Sequence, residues 1–525
     1  MRLVKLLHVL YKIKLFSPLV LYWFIIGIYK CGINTMLLLY IAERTYGNKI
    51  ALVFEEETVS YKQLLLQSEK LSFILKEKFQ LKSGQKVGFL CKNHSSLVKS
   101  IFAISRLGSD LYLLNAEMSK IQFNQLLNQH NFKLLVYDFE LSSFLEETQY
   151  NNEKILSYHE NLPAINNLLN STIDGKYKLP KSSQSKIVLL TGGTTGKSKE
   201  VQHSPSLFNF LNPFLNLLTR LKLLHCHTAY IATPIYHGYG IAVLFSFIAL
   251  GKTVIISKGF NAEEACRIIR VYDVEVITVV PLMIHKMLKN NPEDLKSLVC
   301  IASGGAELNP KLVGEVFSNL GDVLYNLYGT SEAGLNIIAT PQDLKYSVYT
   351  IGKKIEGVRL KIMDNNKIKV HDGIIGQLCM KNKWSMTNKE NLWIETGDLG
   401  YRDNNGYYFL RGRTDDMVVS AGENVYPIEI EQVLINHALV EDVAVIGIRD
   451  EKFGQRLLAF VQPVNALLTK EELFVWLRPR VARFHLPKDI VFVDNIPYTP
   501  LGKIDKRLLK QNIGMVALQD NSKSI

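Results

Sequence analysis

The chain of 525 residues has few cysteines, no long basic run and no uncharged stretch long enough to cross a bilayer. Its six cysteines form no Cys-x-x-Cys pair and no metal-ligand spacing, which excludes a disulfide-stapled secreted domain and a zinc module. This cysteine usage favours a reducing, cytoplasmic compartment. The net charge of +12 comes from basic residues scattered singly among acidic ones, so the sequence predicts no nucleic-acid partner.

The longest uncharged stretch lies near the N-terminus, from Leu15 to Tyr29, and follows a basic segment. It falls short of the roughly 20 residues that a spanning helix needs, and no small-residue cleavage site follows it. The aromatic residues Tyr22, Trp23 and Phe24 are typical of a helix at a membrane surface. Residues 1–42 are therefore predicted to be an apolar segment that either contacts a membrane peripherally or packs on the domain surface.

Short apolar runs alternate with helical patterns over most of the chain, which predicts an α/β fold. Residues 43–412 are expected to form a large N-terminal domain of two doubly wound α/β subdomains plus a small β-barrel. The barrel is indicated by short strands separated by Asn-Asn, Asp-Gly and Asn-Gly turns. Residues 413–510 are expected to form a smaller α+β domain, and residues 511–525 a tail.

A loop rich in glycine and hydroxyl residues follows the apolar run that ends at Leu190. A strand followed by such a loop presents several backbone N–H groups to phosphate oxygens. The loop is not a P-loop, because Gly196-Lys197-Ser198 would require glycine at position 191, where Thr191 stands. The pattern therefore predicts a phosphate-binding loop of another kind.

Four further motifs follow this loop along the chain. They are Tyr328-Gly-Thr-Ser-Glu332, Glu395-Thr-Gly-Asp398, Gly412-Arg-Thr-Asp-Asp-Met417 and Pro500-Leu-Gly-Lys503. Each taken alone is most often an ordinary turn. Their occurrence together in this order is specific.

With Pro234-Ile-Tyr-His237 and Ser303-Gly-Gly-Ala306, these motifs identify a resemblance that extends from Tyr40 to Arg507. The chain resembles the acyl-adenylate-forming (AMP-binding) superfamily, and within it the long-chain fatty acyl-CoA synthetases. The resemblance implies that ATP and a carboxylic acid form an acyl-AMP and that a thiol then displaces AMP. It also implies that the small C-terminal domain is mobile.

The resemblance implies a set of nucleotide-binding residues. The β- and γ-phosphates of ATP would contact Thr191, Gly192, Gly193, Thr194, Thr195, Gly196 and Lys199. The adenine would lie against Gly304, Gly305 and Ala306, with Tyr328 stacked on the base. The ribose hydroxyls would bind Asp398, assisted by Arg413.

The resemblance also implies which residues act on the reacting groups. Ser331 would contact the α-phosphate and Glu332 would hold Mg²⁺, while Lys503 would bridge the substrate carboxylate and the α-phosphate. His237 resembles a gate between the acyl pocket and the thiol channel, although a histidine there is also compatible with a turn or core position. Asp415 matches the hinge about which the C-terminal domain turns, and residues 420–424 would then wall the thiol channel.

The acyl substrate is expected to be a fatty acid, because residues 230–251 and 324–340 are apolar and aromatic, with Glu332 their only acid. CoA is the expected acceptor. Two alternatives stay open. An acyl carrier protein could receive the acyl group, its acidic surface meeting Lys488, Lys503, Lys506, Arg507 and Lys510. The chain could also be a non-catalytic lipid-binding homologue.

Overall fold

The computed structural model describes residues 17–511, apart from 147, 171–178, 180, 183–184, 193–197, 204–206, 387–391, 421–422 and 500–501. The centre of the glycine loop, with Gly193, Thr194, Thr195 and Gly196, therefore lies outside the described residues. So do residues 1–16 and nearly all of the expected tail.

The elements are numbered here in chain order. The helices are α1 Pro18–Cys31, α2 Thr35–Tyr46, α3 Tyr61–Phe79, α4 Ser95–Leu107, α5 Lys120–Gln129, α6 Ser143–Glu146, α7 Ile165–Asn170, α8 Leu207–Arg220, α9 Gly238–Ala249, α10 Ala262–Val271, α11 Pro281–Asn290, α12 Pro310–Leu320, α13 Pro341–Tyr346, α14 Pro427–Ile435 and α15 Lys470–Leu477.

The strands of the N-terminal domain are β1 Ile50–Phe54, β2 Glu57–Ser60, β3 Lys86–Leu90, β4 Asp110–Leu113, β5 Leu134–Tyr137, β6 Glu153–Leu156, β7 Ile187–Gly192, β8 Ser198–His203, β9 Thr228–Ile231, β10 Thr253–Ile256, β11 Val276–Val279, β12 Cys300–Gly304, β13 Leu324–Thr330, β14 Gly334–Ala339, β15 Thr350–Lys354, β16 Arg359–Met363, β17 Gly376–Lys381, β18 Ile394–Arg402 and β19 Tyr408–Arg413. Those of the C-terminal domain are β20 Val418–Ser420, β21 Glu423–Val425, β22 Val440–Asp450, β23 Gly454–Pro463 and β24 Asp489–Phe492.

The large domain contains the two expected α/β sheets. One has the order β6-β5-β3-β4-β7-β8, parallel except for the antiparallel β7–β8 hairpin. In the other, the parallel strands β1, β10, β9, β11, β12 and β13 lie side by side. Because the carboxyl ends of parallel strands meet at one edge, the loops after β12 and β13 lie together.

The second sheet continues through β14 and β15 into the antiparallel strands β19, β18, β17 and β16, which make up the expected barrel-like section. The C-terminal domain has a five-stranded sheet of its own. Its core includes the apolar face of α14, with Ile430 and Leu434, and that of α15, with Leu473 and Leu477. The α/β fold class with a large and a small domain is thus confirmed.

The N-terminal apolar segment forms the two helices α1 and α2. Met36, Leu39 and Tyr40 of α2 are at most 2% exposed and belong to the largest hydrophobic core. The boundary expected at residue 42 therefore falls inside a helix that is built into the large domain. No helix among the described residues combines the length and apolar character required to cross a bilayer.

Candidate active site

A single cleft and cavity of about 2600 Å³ extends between the two domains and into the large one. Its walls include the loops after β12 and β13, the β18–β19 pair and the segment around Lys503. The cleft continues between helices α1, α2, α8 and α9, where its walls are apolar. It therefore offers a charged region and an apolar region that meet.

The charged region centres on the carboxylate of Asp398. The Tyr328 hydroxyl donates a hydrogen bond to Asp398 Oδ2 at 2.5 Å, and Arg413 Nη1 donates one to Oδ1 at 3.0 Å. This geometry follows from strand register, because Asp398 on β18 lies directly opposite Arg413 on β19. Burial raises the pKa of Asp398, while hydrogen bonds from Tyr328 and Arg413 and the charge of Lys503 oppose that rise. The arrangement holds a carboxylate where it can accept hydrogen bonds from a polyol.

Lys503, from the C-terminal domain, reaches the same region of the cleft. Withdrawal from bulk water lowers the pKa of Lys503, the charge of Arg413 lowers it further, and Asp398 opposes the change. The adjacent Gly502 packs closely on the large domain, since a Cβ there would lie 2.5 Å from a methyl group of Val280. In this domain orientation the lysine thus faces the Asp398 cluster.

His237 lies immediately before α9, where the charged and apolar regions meet. Its Nε2 atom is buried and has no hydrogen-bond partner among the described residues. Burial lowers the pKa of His237 to about 4, and the nearby charge of Lys503 contributes to the same shift. The imidazole is therefore neutral at pH 7, and it lines the cleft where the charged and apolar regions meet.

The other residues that the sequence predicts to contact a nucleotide, where their positions are described, lie around the same cleft. Gly304 ends β12, Gly305 and Ala306 follow it, and all three line the cleft. Gly305 has a φ of +84°, which favours glycine. Ser331 and Glu332, in the turn after β13, also line the cleft.

Strands β7 and β8, which flank the glycine loop in sequence, pair as an antiparallel hairpin. Thr191 pairs with Lys199 in the ladder, and Gly192 pairs with Ser198, so these positions flank residues 193–197 on both sides. The backbone placement at the end of a parallel-sheet strand is the one that the sequence predicts for a phosphate loop.

Contacts between the domains were not foreseeable from the sequence. Lys311 Nζ, at the start of α12, donates hydrogen bonds to the carbonyl oxygens of His437 at 2.7 Å and Val440 at 2.6 Å. Lys289 forms an ion pair with Glu441 across the same interface. These lysines hold the orientation in which Lys503 faces the cleft.

Asp415 lies in the connection between β19 and β20, where it accepts a hydrogen bond from Arg413 Nε at 2.8 Å. The connection joins the two domains, as expected of a hinge. Of residues 420–424, the described ones (Ser420, Glu423 and Asn424) are not among the residues that line the cleft in this orientation.

The five basic residues considered for carrier-protein binding do not form a separate surface. Lys503, Lys506, Arg507 and Lys510 all line the cleft, and Lys488 pairs with Asp450 at 3.0 Å. Lys506 also pairs with Asp416 and Glu431. The cluster therefore surrounds the cleft itself.

Comparison with known proteins identifies the architecture. The model of the AMP-binding enzyme family matches residues 40–388, and that of the AMP-binding enzyme C-terminal domain matches residues 429–503. The chain belongs to the AMP-binding enzyme family. It is an acyl-adenylate-forming ligase of the AMP-forming acid–thiol kind.

Two curated relatives within this family illustrate its range. The chain is 27% identical over 477 residues to a 2-succinylbenzoate–CoA ligase of Bacillus pumilus, covering 88% of this chain and 95% of the relative. It is 29% identical over 484 residues to the fatty acid–[acyl-carrier-protein] ligase ScoC of Streptomyces coeruleorubidus, and the match covers 88% of this chain and 92% of the relative.

Solved structures of similar proteins share the fold. The o-succinylbenzoate CoA synthetase of Bacillus subtilis, in complex with its acyl-adenylate intermediate, superposes with a TM-score of 0.78 at 24% identity, covering 90% of this chain and 97% of that one. The amide bond synthetase McbA of Marinactinospora thermotolerans superposes with a TM-score of 0.81 at 21% identity, and the match covers 91% of this chain and 99% of that one.

Just after the carboxyl ends of β3 and β5, Cys91, His94 and Asp138 lie close enough to suggest a metal site. Both nitrogens of His94 are already used, since Nδ1 accepts from the Leu97 N–H at 3.0 Å and Nε2 lies 3.0 Å from Asp138 Oδ1. Burial would raise the pKa of Asp138, but hydrogen bonds from His94, Ser157 and the Lys92 backbone lower it overall. The cluster is a hydrogen-bonded cap of α4 that fixes its start in this AMP-binding enzyme.

The proximity of Lys503 and His237 can be tested by substituting Lys503→Met. Because one nearby positive charge disappears while the burial remains, the pKa of His237 should rise from about 4 but stay below 6.5. Histidine-selective isotope labelling and NMR titration measure it. Lys506→Met, which breaks the pairs with Asp416 and Glu431, is the control and should leave His237 unchanged. An unchanged pKa in Lys503→Met would mean that the lysine does not reach the cleft in solution.

Proposed function

We propose that this enzyme activates a fatty acid to its acyl-AMP with ATP and Mg²⁺ and transfers the acyl group to the thiol of CoA. The observation that carries the proposal is the meeting of the Asp398 and Lys503 region with a deep apolar cavity at His237. A reduced, cytoplasmic location and peripheral membrane contact through residues 1–42 are part of the proposal. The six cysteines, all of them free and buried, suit that location.

The charged region has the chemistry that adenylation needs. Asp398, beside Arg413, would accept hydrogen bonds from both ribose hydroxyls. Tyr328 would stack on the adenine, which would lie against Gly304, Gly305 and Ala306. The glycine loop, from Thr191 to Gly196 with Lys199, would hold the β- and γ-phosphates. A structure of the Bacillus subtilis relative contains ATP and a magnesium ion, which supports this assignment.

At the reacting atoms, Lys503 would donate to both the substrate carboxylate and the α-phosphate, and Ser331 would contact that phosphate. Both groups are anionic, so a cation between them lowers the cost of bringing them together. Glu332 fits a magnesium site, because it lines the cleft and Mg²⁺ prefers carboxylate oxygen ligands. When bound there, the ion would neutralise phosphate charge.

The apolar region favours a hydrocarbon chain over 2-succinylbenzoate. Helix α9 follows the cavity over its 12 residues, about 18 Å at 1.5 Å per residue. Residues one or two turns apart face the cavity, among them Ile241, Phe245 and Ala249. Beyond His237, the described lining residues of α1, α2, α8 and α9 include no Lys, Arg or His. A second carboxylate placed there would be buried without a cation, which is costly.

Two acceptors remain to be compared. The relative ScoC is by name a fatty acid–[acyl-carrier-protein] ligase, which supports a carrier protein as a second candidate. The basic residues offered for such a partner line the cleft, where they can equally neutralise phosphates of a nucleotide or of CoA.

ATP–pyrophosphate exchange across acids from hexanoic to octadecanoic, with 2-succinylbenzoate, amino acids and aryl acids as controls, tests the proposed function. We expect exchange with a window of fatty acids and thioester formation once CoA is added. Exchange with 2-succinylbenzoate alone would refute the fatty-acid assignment. The absence of exchange with every acid, in folded protein that binds ATP, would favour the non-catalytic lipid-binding alternative. Replacing CoA with a carrier protein decides the acceptor.

The position of the acyl chain along α9 predicts graded effects of two substitutions. Ala242 lies five residues beyond His237 and Ala249 twelve, about 7 and 18 Å along the helix. Ala242→Trp should confine activity to the shortest acids, and Ala249→Trp should remove only the longest, each by about tenfold or more in kcat/KM for the excluded acids. Ala466→Trp, at an exposed site in the C-terminal domain, is the control. Equal loss with all acids would contradict this chain path.

The interdomain contacts predict that one lysine influences the two half-reactions differently. Lys311→Ala removes a charged donor from two carbonyl oxygens, an interaction worth about 2 kcal/mol in this orientation only. Acyl-AMP formation should slow by about tenfold or more, while thioester formation from supplied acyl-AMP stays unchanged. Lys345→Ala, which breaks an ion pair with Asp322 inside the large domain, is the control. Equal slowing of both steps would argue against rotation about Asp415.

A further inference from the structure

Helix α1 is apolar on both of its faces. Val20, Gly27 and Cys31 are buried, whereas Leu19, Leu21, Tyr22, Ile25 and Tyr29 are 52–77% exposed. A helix that is apolar all round normally lies inside a protein or against lipid. The outer face of α1 therefore needs a covering that the described residues of this chain do not supply.

The inner face of α1 covers the far end of the acyl cavity. Val20 and Phe24, one turn apart, line the cavity together with Leu38 and Ile41 of α2. The turn just after α9 packs against the end of α2, since a side chain at Gly251 would collide with the Tyr46 ring. The cavity thus extends from Lys503 and His237 to the underside of a helix whose opposite face is exposed and apolar.

The charges around α1 match an anionic surface. Arg44 lies over the Trp23 ring at 5.1 Å and Lys181 over the Tyr29 ring at 5.8 Å, and Lys30 is exposed on α1 itself. The seventeen residues before α1 carry Arg2, Lys5, Lys12 and Lys14 and no acidic residue. Basic residues beside Tyr and Trp are typical of helices that bind anionic bilayers in the plane of the interface. A second copy of this chain carries the same positive charge here and would be repelled.

We propose that α1 lies on the surface of an anionic bilayer and that the acid enters the enzyme from the lipid, between α1 and α2. The inference rests on the proposed function, because only an acid with a hydrocarbon chain partitions into lipid. The acid would then enter through the apolar region of the cavity, on the side of His237 away from Lys503, and ATP would enter through the interdomain cleft. The two substrates would not compete for one entrance.

The double variant Leu21→Glu/Ile25→Glu tests the entrance, because it charges the outer face of α1 without altering a cavity-lining residue. Binding to phosphatidylcholine–phosphatidylglycerol vesicles should fall by about tenfold or more, equivalent to about 1.4 kcal/mol. Activity on hexadecanoic acid embedded in those vesicles should fall equally, and activity on dissolved hexanoic acid should not change. Leu467→Glu/Val475→Glu, at exposed apolar positions of the C-terminal domain, is the matched control.

A photoreactive hexadecanoic acid supplied in the same vesicles gives a readout independent of catalysis. Crosslinks to peptides from α1 and α2 are expected in the full chain and should be lost in Leu21→Glu/Ile25→Glu. Unchanged vesicle binding and labelling in that variant would refute the proposed lipid entrance while leaving the proposed function intact. Labelling of α1 and α2 without ATP–pyrophosphate exchange for any acid would support the proposed entrance and refute the proposed function. Dimerisation through α1 without vesicle binding would assign the face to a second copy.

Discussion

The Asp398 carboxylate is the group on which the organisation of the cleft depends. It lies on the barrel-like section, receives a hydrogen bond from Tyr328 of the second sheet, and pairs with Arg413 at the entrance to the hinge. A buried carboxylate is costly unless it is paired and hydrogen-bonded. Both partners must therefore hold their positions, and the sheet, the barrel and the hinge are aligned by one polar cluster.

The charge of Lys503 completes this cluster from the other domain. It opposes the rise in the pKa of Asp398 and helps to lower the pKa of His237. Its position depends on contacts far from the cleft, notably the hydrogen bonds that Lys311 donates to the C-terminal domain. Domain orientation and site electrostatics are consequently linked: turning the small domain would remove one positive charge from the site.

The positions of many residues of the candidate site were predictable because these residues are close in sequence to the turns that place them. Gly304 to Ala306 follow a buried parallel strand, and Asp398 follows a glycine with positive φ. A loop that follows a parallel strand lies at the carboxyl edge of its sheet whatever the rest of the chain does, and this places Gly304 to Ala306. Asp398 instead lies within the antiparallel strand β18, where the strand register sets it opposite Arg413. The alternating apolar pattern was likewise sufficient to predict two α/β sheets, a barrel-like section and a smaller final domain.

Other features depend on contacts between distant segments, which a local pattern does not encode. Nothing near Lys311 indicates that its partners are the carbonyl oxygens of His437 and Val440. The apolar pattern of α1 and α2 was visible, but it did not reveal that α2 joins the main core while α1 keeps one face exposed. For the same reason, the basic residues near the C-terminus suggested an outer surface, whereas most of them line the cleft.

The central claim is that one cleft joins a nucleotide to a hydrocarbon acid at Lys503 and His237. Mass spectrometry of the full-length protein mixed with ATP, Mg²⁺ and hexadecanoic acid, in the absence of any thiol, tests it most directly. The account predicts that the mixed anhydride of hexadecanoic acid and AMP accumulates on the protein and is consumed when CoA is added. The account would be contradicted if folded, ATP-binding protein formed no such adenylate with any fatty acid, or formed one only with 2-succinylbenzoate.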